Sequence, residues 1–147
     1  MKGGDLHWIW KPYEIYQEID YVYGVKALED GDGFTNAQSA LNIVETFLNI
    51  LYVYLAHVTH WPAAPVIGFA SVVMTLSKTV LYWLQEYYCG GCSIGHNTFN
   101  DLLVYWIIPN GVWLVVPTCI IYTLGRDIAA SLQFQARVSN EDSKKTR

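Results

Sequence analysis

Hydrophobic and polar positions alternate along this chain on the scale of a membrane rather than of a soluble core. Three long apolar runs, 39–58, 62–84 and 102–124, are separated by short polar segments. Each is about 20 residues, the length a helix needs to cross roughly 30 Å of hydrocarbon. The third run holds no charged residue at all and is bracketed by Asp101 and by Arg126 and Asp127. The pattern predicts an all-α, polytopic transmembrane helical bundle of three spans. Ahead of them, "HWIWKPYEIYQEIDYVYG" sets Trp8, Trp10, Tyr13 and Tyr16 around Pro12, the pattern of an interfacial helix along the membrane surface. Asp20 and Tyr23 in that segment fit an ordinary solvated face, or could turn back toward the bundle.

Polar residues recur inside the spans at helical spacing. Asn42, Glu45, Asn49 and Tyr52 fall on one face of the first span. Ser71, Thr75, Lys78 and Tyr82 share a face of the second, with Glu86 a turn beyond. Trp106, Asn110, Trp113 and Pro117 share a face of the third, inside "IIPNGVWLVVP". Three such faces could enclose a narrow site, because an intramembrane amide or carboxyl is costly and tends to face protein or ligand. The plainer reading is interhelical hydrogen bonding worth about 1 kcal/mol or less per pair. Glu45 and Lys78 could also simply neutralise each other. Gly111 and Pro117 are expected to let the third helix bend and pack closely.

Composition agrees with a membrane setting: 52% of the 147 residues are hydrophobic and only 15% charged, against about 25% in ordinary globular chains. Eleven Tyr and six Trp suit long water–lipid boundaries. A soluble bundle with buried helices fits the two charge-bearing spans but not the third. A net charge of −4 with no basic stripe excludes a nucleic-acid partner. The loop between the second and third spans has no Lys or Arg. The polar tail, 126–147, has five and ends in "KKTR", which resembles a dilysine endoplasmic-reticulum retrieval signal. The positive-inside rule then places the C-terminus in the cytosol. The tail itself reads as disordered. In the loop, "CGGC" with His96 four residues on suits a plain loop, a local disulfide or, least well, a metal site. No second cysteine pair supplies a full zinc ligand set, so neither metal nor cofactor is expected.

The segment "KTVLYWLQEYYCGGCSIGHNTFNDLLVYWIIPNGVWLVVPTCII" resembles the last two helices of the emopamil-binding protein family, the membrane-bound sterol Δ8–Δ7 isomerases of the wider EXPERA group. Asn110, Trp113, Leu114, Val115 and Pro117 match the family's N-x-x-W-L-V-x-P helix, and "DGFT" at 32–35 resembles the segment before its acidic helix. The wording is most similar to a fungal branch of that group. The resemblance implies an EXPERA-like domain over 1–125, three spans against the four to five usual in the family. The chain begins after the position of the family's first helix, which in the isomerases carries a histidine and an acidic residue.

The resemblance also implies a chemistry. In the isomerases an acid protonates a ring double bond and a base removes a neighbouring proton. Carried over, Glu45 is the carboxyl, Asn110 the polar partner and Trp113 the aromatic group that stabilises a cation. Asn42, Asn49, Lys78, Tyr82 and Trp106 are the expected ligand-binding residues. Counting from "DGFT" without a gap puts Ser39 rather than Glu45 at the family's glutamate, and Lys78 departs from the family pattern. The expected ligand is a sterol or similar polycyclic lipid in the endoplasmic-reticulum membrane. A non-enzymatic lipid-binding or trafficking role is the alternative, and a second copy of the chain could supply what the short domain lacks.

Overall fold

The computed structural model describes residues 7–145, which form helices and connecting loops with no strand among them. In order, these are α1 (His7–Ile19), a single 3₁₀ turn (Tyr21–Tyr23), α2 (Val25–Glu29), α3 (Phe34–His57), α4 (Ala64–Tyr88) and α5 (Phe99–Lys145). The chain is all-α. α3, α4 and α5 are each long and apolar enough to cross a bilayer, which makes this an integral, multi-pass membrane protein. α1, at 13 residues, is only about 20 Å long and cannot span. It leaves Trp8, Trp10, Tyr13 and Ile15 exposed.

The helix boundaries follow from local chemistry. α3 starts at Phe34, five residues before the apolar run. The Asp32 carboxylate receives the Phe34 N–H at 2.9 Å, and Thr35 Oγ1 donates to Val22 O. His60, with φ of 51°, and Pro62 close off α3. Pro65 lies in the first turn of α4, where a missing N–H costs nothing. α4 runs on to Tyr88, past the end of its apolar run, because no breaker intervenes before Gly90 and Gly91. Those two glycines, at φ of 72° and 76°, turn the chain out of the helix in a conformation that a Cβ would strain.

α5 is regular except at residues Leu102–Ile107, which form a π-helix in which Ile108 N–H reaches back five residues to Leu103 O. Pro109 explains the position. It cannot donate to the carbonyl four residues back, and its ring would press on that carbonyl in a regular α-helix. The wider turn accommodates both problems. Beyond Leu124 the expected disordered tail is instead helix as far as Lys145. After Gly125 the sequence holds no further Gly or Pro and is rich in Ala, Gln and Arg, which favour helix.

The chain divides into two compact units. One comprises residues up to 43 with 77–114, the other 44–76 with those from 115 onward. In the second unit α3 and α4 pack closely, since a Cβ added at Gly68 would meet the Tyr52 ring at 2.9 Å. Small residues at such crossings let helices approach where lipid offers no hydrophobic drive. The Asn49 side chain accepts from Ser71 Oγ at 2.7 Å, and Glu45 Oε1 from Thr75 Oγ1 at 2.5 Å. In the first unit the core is aromatic: Tyr82 and Trp106 are buried with Ile94, flanked by Tyr23, Trp83 and Phe34.

Candidate functional site

The first unit gathers its polar groups around a carboxyl that the sequence reading assigned to a solvated face. Asp20 is 0% exposed. It ends α1 and caps the following 3₁₀ turn, with Oδ1 accepting Val22 N–H at 3.0 Å. Its other oxygen accepts Trp106 Nε1–H at 3.3 Å. Burial of this kind disfavours the charged form and pushes the Asp20 pKa from its ordinary 3.8 up to about 6. That value is the net result: the nearby Glu86 carboxyl also raises it, while the Val22 and Trp106 donors and His96 pull it down. The solvated-face expectation fails because the loop after α4 closes over this turn.

That loop is more than a connector. Tyr21 N–H donates to Ser93 O at 3.2 Å, Asn97 Nδ2 to Ile19 O at 2.7 Å, and His96 Nε2 to Glu18 O at 2.7 Å. The last carbonyls of α1, which have no partner within their own helix, are thereby satisfied. The His96 ring stacks flat on Tyr21, with centroids 3.9 Å apart. His96 is therefore occupied by α1 and stands apart from the CGGC cysteines. Cys89 and Cys92 are joined in a disulfide.

From Asp20 a hydrogen-bonded series leads outward along α5. Trp106 Nε1–H also reaches Tyr82 Oη at 2.6 Å. Tyr82 Oη lies 3.4 Å from Tyr16 Oη. Asn110 divides its two amide protons, one to Trp106 O at 2.8 Å and the other to Tyr16 Oη at 3.5 Å. The first of these covers a carbonyl beside the Pro109 break, which accounts for an asparagine at this depth. Since Tyr82 already accepts from Trp106, it is suited to donate to Tyr16. With Tyr82 and Asn110 both as donors to Tyr16 Oη, the Tyr16 proton is left for a further acceptor. Burial raises the Tyr16 pKa, against the lowering effect of the Asn110 hydrogen bond, so its phenol stays neutral and able to donate. Asn110 Oδ1 has no partner among the described residues. Both side chains are half-buried. Together they offer a hydroxyl and an amide oxygen side by side, framed by Tyr23, Tyr82 and Trp106.

Of the residues singled out in the sequence, Tyr82, Trp106 and Asn110 are brought together here. Asn42 and Lys78 belong to the same unit, where the Lys78 ammonium donates to Asn42 Oδ1. Glu45 and Asn49 belong to the other unit, in the Thr75 and Ser71 pairs already described. Trp113 is 58% exposed on the surface of α5 and lies outside the aromatic core. Gly111 has open space where a Cβ would stand, so close packing is not its role. Tyr16, Asp20 and Tyr23 were not singled out as site residues. Their i, i+4, i+7 spacing around one carboxyl was the available signal.

Two cavities accompany these groups. One of about 270 Å³, in the first unit, is lined by residues including Tyr21, Lys26, Asp30, Asp32, Cys92 and Ser93. The other, about 700 Å³ and largely apolar, lies in the second unit along Pro62, Val66, Ile128 and Phe134, and none of the sequence candidates lines it. No protein-family model, curated protein or solved structure matches the chain.

Proposed function

We propose that this is an EXPERA-type membrane protein that binds a sterol or a related polycyclic lipid alcohol at the aromatic cluster of its first unit. The observation that carries this reading is the half-buried Tyr16 hydroxyl beside Asn110, whose Oδ1 has no partner among the described residues. An alcohol needs one donor and one acceptor. A mostly apolar site with a few placed polar groups is how small lipophilic ligands are recognised. Residence in the endoplasmic-reticulum membrane, with the segment from 126 onward cytosolic, belongs to this proposal; the Lys/Arg bias of that segment over the loop 85–101 supports the orientation.

A photoreactive sterol alcohol tests this on the purified chain in micelles, with the adducts mapped by mass spectrometry. Adducts competed by unlabelled sterol are expected near Tyr16 and between Trp106 and Trp113. Adducts confined to 62–66 and 127–135 would move the ligand to the other cavity and sink the assignment.

A second reading, double-bond isomerisation, draws support from the Asp20 pKa of about 6. Such a carboxyl holds and releases a proton near neutral pH, which suits a general acid–base group. In this reading Asp20, rather than Glu45, moves the proton, and the rings of Tyr23, Tyr82 and Trp106 stabilise positive charge. Expression in yeast lacking its own sterol Δ8–Δ7 isomerase separates the two. Loss of Δ8-sterols with the native chain but not with Asp20→Asn supports catalysis. Persistence of Δ8-sterols with stably inserted native protein leaves binding alone.

A further inference from the structure

We infer that the end of α4 is a redox-gated zinc site, formed by Cys89, Cys92 and Glu86 once the disulfide is reduced. Glu86 is 4% exposed, and one of its carboxylate oxygens, Oε1, has no hydrogen-bond partner among the described residues. A carboxylate with an open oxygen in such a place calls for a cation or a donor. One donor atom from each of Glu86, Cys89 and Cys92 lies within 4.8 Å of the others. With metal–sulfur bonds of about 2.3 Å in tetrahedral array, two thiolates stand about 3.8 Å apart. The three donors therefore need only the opening of the S–S bond and small adjustments.

The surrounding backbone fits that use. Gly90 and Gly91, both at positive φ, fold the chain so that Cys92 returns to Cys89. Cys92 N–H points at Cys89 Sγ at 3.1 Å, where it would stabilise thiolate charge. Ser93 N–H holds the other Glu86 oxygen at 3.2 Å and so orients the carboxylate. Both cysteines are exposed, and the 270 Å³ cavity beside Cys92 carries Asp30 and Asp32 as well as Lys26, giving a cation an approach from water. Two thiolates and one carboxylate favour zinc over magnesium or calcium, with water as the fourth ligand.

The chemistry balances simply. A dithiol reductant supplies two electrons and two protons, the S–S bond breaks to two thiols, and the reductant leaves as its own disulfide. Zinc then displaces the two thiol protons into solvent.

Cobalt(II) is the probe, titrated into the full chain in micelles before and after reduction by a non-chelating phosphine. The reduced protein is expected to take up one equivalent with a thiolate-to-cobalt charge-transfer band, displaced by zinc, and the oxidised protein none. Cys92→Ser should abolish the band. Glu86→Gln should weaken uptake at least about tenfold. Helicity by circular dichroism confirms that each variant is folded. Absence of the band in reduced native protein overturns the inference, and so does equal affinity in folded Glu86→Gln.

Discussion

Replacing Asp20 by Asn probes the site through its effect on stability. The carboxyl's pKa is raised on folding, so the folded state binds its proton more tightly than the unfolded chain does. Stability from this group is therefore greatest below its ordinary pKa of 3.8. It falls as pH rises through the window up to about 6, and is level beyond. The rise from 3.8 to about 6, at about 1.4 kcal/mol per pH unit, corresponds to about 3 kcal/mol. Asn keeps one oxygen, enough for Val22 or for Trp106 but not for both, and cannot ionise; the lost hydrogen bond lowers its stability at every pH alike, so the change with pH is what is read. Carboxyls remote from Asp20 contribute equally to both proteins, so the difference between them reports Asp20 together with its coupling to Glu86. Unfolding in mixed micelles followed by circular dichroism, at a series of pH values from about 3 to about 7.5, measures it. The variant's stability relative to the native chain should climb by about 3 kcal/mol across that range. A difference that stays constant, or falls, would refute a buried, desolvated Asp20.

Other substitutions test neighbouring links. Trp106→Phe removes the N–H that Tyr82 and Asp20 both accept, and should cost about 1–3 kcal/mol in unfolding experiments. It should also move the Asp20 titration upward, because that N–H holds the pKa down. Glu45→Gln keeps an acceptor for Thr75 and lies in the other unit. Sterol affinity should change by less than about twofold and stability by less than about 1 kcal/mol; a large loss of binding would return Glu45 to the site. Gly91→Ala forces a Cβ into a left-handed conformation and should cost about 1–2 kcal/mol in the same unfolding assay, with weaker cobalt uptake after reduction.

The spans were legible because an uncharged run such as 102–124 has no comfortable alternative to lipid or a fully buried core. Their ends were less so. α3 begins early because Asp32 and Thr35 tie its first turn, a device carried by two polar residues outside the apolar pattern. The tail was misread as disordered because polarity was weighed above helix propensity. The proline–asparagine stretch announced an irregularity, but not its form: a π-turn before Pro109, with the Asn110 side chain on the adjacent Trp106 carbonyl. Trp106, Asn110 and Tyr82 were identified from face periodicity and do converge. Asp20 was not, because an acid after a short amphipathic helix is usually solvated. The returning loop after α4 and Trp106 of α5 bury it, and these are long-range contacts no local pattern contains.

The central claim is that Tyr16 and Asn110 receive a lipid hydroxyl. The most direct measurement compares binding of a sterol alcohol with binding of the same skeleton lacking its oxygen, in the native chain and in Tyr16→Phe. Two hydrogen bonds at about 1 kcal/mol each predict a preference of roughly thirtyfold for the alcohol, falling to about fivefold without the Tyr16 hydroxyl. Equal binding of both lipids by the native chain, or an undiminished preference in Tyr16→Phe, would contradict the account.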